Sequence, residues 1–339
     1  MNVKKAIKKG LRRIIGKNSS PITEKSSPGI KEKLCRKLDI GKKTVAGVAD
    51  IIYKSKNNDV FFRYDIIVRY LAIEYYHGKN DCGLNLYQKM QKARKGDDYS
   101  ETSYHKFEKL IESFEENGYD QSSYIILGEN FGIIDGSHRI AMAIYYGIRN
   151  IPVKILAATR NVDYSIDWFM IHGFSSEEID IIRNKASEIK EKVQAYFSCV
   201  IWAPAVFCAE DIIRDMSIFG NVLSVKRHVY TEEGYQKVVR TIYSIDDIED
   251  WKIDKKLEYM KNGRELVSVD LIIDNPTFRI KDRSGMPIST KVERIKKTLR
   301  TRYKDRIEDY FFDIIIHIGD NYQQSDFMRH VLEESKESK

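Results

Sequence analysis

The sequence predicts an α/β protein built as an N-terminal α/β module followed by a C-terminal layered α/β domain, and three observations carry that prediction. The chain has 339 residues, enough for two hydrophobic cores. In its first half an apolar strand-like run, Ile133-Ile134, enters the polar turn Asp135-Gly136-Ser137-His138-Arg139 and leaves it as a helix-like run. Beyond residue 198, strand-type and helix-type segments alternate, the pattern of a sheet covered by helices.

Composition narrows the class further. Hydrophobic residues make up 42% and aromatics 11% of the chain, which suits globular domains and excludes collagen-like or low-complexity architectures. No apolar run reaches the roughly 20 residues needed to span a bilayer, and the basic N-terminus does not read as a secretory signal. Cys35, Cys82, Cys199 and Cys208 are scattered, as expected of free thiols in a reducing cytoplasm. The net charge of +7 matches the seven unopposed cations Lys4, Lys5, Lys8, Lys9, Arg12, Arg13 and Lys17, so the rest of the chain is formally neutral. That distribution makes nucleic acid a weaker expectation than the pI alone suggests.

Residues 1–17 carry Val3, Ile7, Leu11, Ile14 and Ile15 at helical spacing opposite those cations. A basic amphipathic helix of this kind suits peripheral contact with an anionic membrane surface at the inner face. A surface helix docked on its own domain, a disordered basic tail and phosphate contact with nucleic acid are the other readings. Residues 18–30 form a Ser- and Pro-containing linker, and the first domain is expected over 31–160.

Within that domain helices are expected at 30–40, 43–53, 61–76 and 83–93. Ser103 is expected to cap a helix that Gly118 stops near Asn117. Strands are expected at 123–127 and 132–135, a helix at 140–146 ending at Gly147, and a strand at 151–156. The strand-turn-helix junction is where chemistry is expected. Gly136 permits a tight turn and close approach of a ligand. The first amides of the helix have no intrahelical acceptor and sit at the positive end of its dipole, a ready anion site. Ser137 can cap the helix or bind a phosphate oxygen, Arg139 offers a bidentate fork, and Asp135 with His138 forms a titratable pair. Taken singly, each residue also fits an ordinary turn, cap or structural histidine.

The run Ile134-Asp135-Gly136-Ser137-His138-Arg139-Ile140-Ala141, followed by Gly147 and Ile151-Pro152-Val153, resembles the ParB/sulfiredoxin family signature across about a third of the chain. The resemblance implies nucleotide phosphates held at the turn, with Gly136, Ser137, His138 and Arg139 as cofactor-binding residues. Sulfiredoxins carry Cys where this chain has Ser137, which argues against sulfinic-acid repair. Partitioning proteins of the family add a helix-turn-helix that is not evident here. The turn is most similar to that of the family's nucleotide-dependent free serine kinase, which uses a Glu as base; Glu74 is the corresponding expectation by type and upstream position. With Asp135 and His138, Glu74 completes the expected catalytic set. The polar segment 69–74, together with Asn80-Asp81 and 87–91, also resembles uncharacterised proteins associated with bacterial surface-polysaccharide synthesis, and Lys89 is a substrate-binding expectation there.

Ser175-x-x-Glu178 is a capping box opening a helix, and 161–198 reads as a helical bridge between domains. In the second domain, 199–339, strands are expected at 199–203, 222–230, 265–273 and 312–318. Helices are expected at 209–216, 231–243, 248–261, 288–310 and 322–334. Ligands of open α/β sheets bind beyond the carboxyl ends of strands, so His317, Asp320 and Asn321 are expected at the substrate, unless Asp320 and Asn321 merely cap the last helix. Arg279, Lys281 and Arg283, with Arg294, Lys296, Lys297, Arg300 and Arg302, form either a solvated face or the lining of an anion site.

These expectations converge on a nucleotide-dependent phosphotransferase, using ATP or another nucleotide with Mg²⁺ and acting on a small-molecule, polyol or glycan hydroxyl. The alternative is a nucleotide-binding regulatory module that binds DNA or a protein partner without catalysis.

Overall fold

The computed structural model describes residues 41–52, 63–100, 102–158, 162–193, 195–246, 248–260, 263–274, 276–281, 286–311 and 313–335. The helices expected at 1–17 and 30–40, the linker at 18–30, and Arg283 lie outside the described residues. Lys42–Lys339 forms one compact mixed α/β unit with two hydrophobic cores. Among the described residues, no helix is long and apolar enough to cross a membrane.

The first core is organised by β1 (Lys42–Gly47), α1 (Val48–Ile52), α2 (Tyr64–Tyr76), α3 (Gly83–Lys95), α4 (Thr102–Asn117), β2 (Ile125–Gly128), β3 (Ile133–Asp135), α5 (Ser137–Tyr145) and β4 (Asn150–Leu156). The sheet order is β1-β4-β2-β3, with β2 parallel to β4 and the outer pairs antiparallel. The helix expected at 43–53 is instead a strand and a short helix. β-branched Thr44 and Val45 pair with Val153 and Pro152 of β4, so edge pairing overrides a local helical pattern. Ser103 lies inside α4 rather than capping it, and its hydroxyl accepts a hydrogen bond from Lys95.

Helix α2 is apolar nearly all round, as a helix enclosed on several sides must be; it packs against α3, α5 and the later helix at Ser176–Val193. It runs parallel to α5. Arg63, at the head of α2, bonds Ser137 at the head of α5, while Lys79, past the tail of α2, bonds Tyr145 at the tail of α5. This alignment brings the start of α2 to the turn after β3.

The chain continues through α6 (Ile166–Ile171) and α7 (Ser176–Val193). The capping box forms as expected: Ser175 N–H donates to Glu178 Oε2 at 2.7 Å, and Glu178 N–H to Ser175 Oγ at 3.3 Å. Ile179, Ile182, Ala186 and Ile189 of α7 are buried in the first core, so the segment expected as a bridge packs as part of that core.

The second core holds β5 (Phe197–Ile201), α8 (Ala209–Met216), β6 (Asn221–Val229), α9 (Glu232–Tyr243), α10 (Asp250–Tyr259), β7 (Glu265–Ile272), β8 (Phe278–Ile280), β9 (Pro287–Ser289), α11 (Thr290–Tyr303), β10 (Ile316–Ile318) and α12 (Tyr322–Glu334). Its main sheet has the order β10-β5-β7-β6, and every pair in it is antiparallel. The rule that places ligands beyond strand ends belongs to parallel sheets, so it loses its force here. The long helix expected at 288–310 is shorter. Pro287–Ser289 pairs with β8, and Ser289 then caps α11 by accepting from Val292 N–H.

The two halves are joined through a buried carboxylate. Asp50 of α1 accepts 2.8 Å hydrogen bonds from the Tyr322 and Gln323 amides at the head of α12. Burial nevertheless pushes Asp50 up to about 7 against those bonds. Arg149 and Asn150 donate to Asp326 of the same helix.

Candidate functional site

The turn after β3 is shaped by Gly136, which has φ 105° and ψ 16°. A Cβ there would stand 2.5 Å from Ile125 Cδ1, so both backbone angle and space require glycine. Ser137 begins α5, three residues before the expected start, and no side chain among the described residues caps this helix. Instead of capping, Ser137 Oγ accepts a 3.0 Å hydrogen bond from Arg63 Nη2. The first intrahelical bond runs from Ile140 N–H to Gly136 O, which leaves the amides of Ser137, His138 and Arg139 at the helix head.

Arg63 belongs to a buried charge cluster. Asp65, fully buried, accepts from Arg63 Nε at 2.7 Å, Arg63 Nη2 at 2.9 Å and Arg69 Nη1 at 2.8 Å. Burial pushes the Asp65 carboxyl up, but the guanidiniums of Arg63 and Arg69 outweigh it and hold the group at about 2. Arg69 is 1% exposed and its Nε has no hydrogen-bond partner; burial draws it down to about 10 against the pull of Asp65. Arg94 extends the cluster. Tyr164 lies between Arg63 and Arg94, with its ring centroid 5.2 and 5.1 Å from the two guanidiniums, and its hydroxyl accepts from Arg94 Nε at 2.8 Å. Three guanidiniums thus face one carboxylate beside the positive end of α5.

His138 lies against this cluster. Its ring centroid is 4.5 Å from Phe107, and Nε2 is 2.9 Å from the Tyr87 hydroxyl. Burial, followed by the charges of Arg69 and Arg94, holds its pKa well below the usual imidazole value, so the ring is neutral at physiological pH. Arg139 points back to the sheet, donating to Ser123 Oγ at 2.5 Å and Tyr124 O at 3.0 Å, with Asp135 Oδ2 at 3.7 Å from its Nη2. The Asp135 carboxylate is 51% exposed and is the open acid of the turn.

The structure therefore brings together Asp135, Gly136, Ser137, His138 and Arg139, and it places the other expected residues elsewhere. Glu74 lies nine residues along α2 from Asp65, roughly 13 Å at 1.5 Å per residue, and bonds Lys185 at 3.1 Å and Asn80. Lys89 bonds Glu178 of the capping box at 2.5 Å and stands over the Phe174 ring. Asn321 is 1% exposed; its Oδ1 caps α12 by accepting from Gln324 N–H, and its Nδ2 donates to Pro287 O. Asp320 is paired with Lys296. His317 is buried on β10, with Nε2 unbonded and 3.6 Å from Asp246 Oδ2.

Sequence reasoning missed Arg63, Asp65 and Arg94 at the first cluster. The available sign was three charges, Arg63, Asp65 and Arg69, at the head of a helix whose other positions are almost all apolar. It also missed the partners of His317. Burial, reinforced by Asp320, raises Asp246 to about 7, and burial lowers Lys256 to about 8.

The first cluster fits an anion: it supplies uncapped amides, an excess of guanidiniums and an orphaned buried Arg69 Nε. Asp65 is not available to a metal ion, since both its oxygens are engaged by arginines. Among the described residues, no group of three or more His, Cys, Asp or Glu side chains is placed to hold one. Comparison of the chain with protein-family models, curated proteins and solved structures finds no match.

Proposed function

We propose that the head of α5 binds the phosphates of a nucleotide, and that the protein is a nucleotide-dependent phosphotransferase acting on a small-molecule, polyol or glycan hydroxyl. The observation that carries this reading is an uncapped helix start whose serine bonds a buried arginine. Charge developing on a transferred phosphoryl group is stabilised by fixed donors and cations. Here the amides of 137–139 would meet the phosphate oxygens, and Arg63 and Arg94 would offset the charge. Neutral His138 would serve as a hydrogen-bond partner. Asp135, open to solvent, takes the proton-accepting role expected of Glu74. Magnesium enters no step, because the carboxylate beside the arginines is already engaged.

The placement of Glu74 and the locked state of Asp65 favour a second reading, nucleotide binding without catalysis. One experiment separates the two. A nucleotide bound at a hundred times its Kd stabilises the native state by about 2.7 kcal/mol, so ATP, CTP or ADP must raise Tm. Ser137→Asp, which sets a carboxylate at the helix head, must abolish that rise. Release of nucleoside diphosphate in the presence of a hydroxyl acceptor supports transfer, and a Tm rise without release supports binding alone. No Tm rise with any nucleotide overturns both.

A further inference from the structure

We propose that a cleft beside α11 is a second anion site, one that takes a small molecule carrying a phosphate monoester or a diphosphate. This inference is independent of the α5 turn. The cleft has a volume of about 420 Å³ and lies between α11, the start of the β8–β9 connection and the turn after β10. That is the size range of small-molecule sites.

Charge accounting identifies the ligand class. Six cations and three carboxylates line the cleft. Each carboxylate is already paired: Glu293 with Arg279 at 2.9 Å, Asp313 with Arg300 at 3.1 Å, and Asp320 with Lys296. Among the described lining residues, Lys281, Lys297 and Lys304 remain without a paired carboxylate, an excess that a ligand with two or three negative charges would neutralise. Lys297 of α11 and Lys304, the C-cap of that helix, are exposed and have no carboxylate partner among the described residues.

The floor of the cleft is already ordered. Lys296 Nζ also donates to Ile318 O at 3.3 Å, and Arg300 Nη2 donates to Ile316 O at 3.0 Å. Both cations are thereby pinned to β10, so binding need not order them first. Thr301 lines the same wall and offers a hydroxyl to a neutral sugar or polyol body. Behind the lining, the charges of Lys296 and Arg300 reach buried His317, and those of Asp320, Lys296 and Lys281 reach Asp246. A bound phosphate would therefore act on that pair as well.

The test is lysine acetylation of the full chain, read residue by residue by mass spectrometry, with inorganic pyrophosphate or ribose 5-phosphate as probe. Expected is at least fivefold slower acetylation of Lys297 and Lys304 with either probe, while exposed Lys226 and Lys237 are unchanged. A parallel arm with phosphatidic acid vesicles identifies the source: protection by soluble probes assigns a free phosphate, and protection by vesicles alone assigns a lipid headgroup. Asp313→Asn, which releases Arg300, is expected to lower the probe concentration needed for half protection several-fold. Equal protection of all four lysines, or none in any arm, overturns the site. The readout is local, so it stands whether or not the α5 turn binds a nucleotide.

Discussion

Around Asp65, the guanidiniums of Arg63 and Arg69 are buried to 4% and 1% exposure and remain paired and charged, whereas in the second half the ammonium of Lys256, 6% exposed, is drawn down to about 8. The cations proposed to receive a ligand beside α11, Lys297 and Lys304, stand in solvent instead. Arginine spreads its charge over a planar group that pairs in two directions, while lysine carries a compact, strongly hydrated charge whose pKa burial readily lowers. Positive charge in the first half can therefore be built into the core. In the second half the cations proposed to receive a ligand stand at the rim.

The largest test of this contrast is removal of the carboxylate from each side. Asp65→Asn leaves two buried guanidiniums without compensation, and breaking a buried pair in this way costs about 3–5 kcal/mol. Urea unfolding should show a loss of that order or failure to fold. Asp320→Asn breaks a pair whose side chains are 12% and 21% exposed and should cost less than Asp65→Asn. Similar losses in the two variants would remove the distinction between the clusters. Next in size is Gly136→Ala, which combines positive φ with a contact against Ile125 Cδ1; strain of this type costs about 1–3 kcal/mol. Adding Ile125→Val removes the nearest atom and should return part of that loss, which double-mutant urea curves would reveal.

A further test is a pH dependence. Asp246 has a folded pKa of about 7 against an ordinary 3.8, so the folded state holds a proton that the unfolded chain releases. The resulting stability is fully present below about 4 and is lost as pH rises through about 7. Asp246→Asn should reduce the slope of the urea midpoint over that window and leave the part contributed by Asp50, which burial also raises to about 7; the Asp65 cluster, titrating near 2, adds little there.

Much of the molecule was legible in the chain. The capping box at Ser175 and Glu178 forms as its residues require, and the strand-turn-helix around Gly136 forms with its helix starting at Ser137 instead of residue 140. The capping box is local, resting on side chains within four positions of the backbone they satisfy, whereas the turn also sets Gly136 against Ile125. Glu74 was misplaced because residue type and order along the chain do not give distance across a fold. Asn321 is a cap rather than a ligand because Pro287, 34 residues away, folds over it.

From the sequence by itself follow the α/β class, most element positions and the polar turn at 135–139, since hydrophobic periodicity and capping chemistry act over a few residues. Only the tertiary structure decided that the second sheet is antiparallel, that Arg63, Asp65, Arg69 and Arg94 meet the head of α5, and that Lys297 and Lys304 have no carboxylate partner among the described residues. Those outcomes depend on which segments pack together and on how burial reweights each charge, and neither is encoded within a short window of the chain.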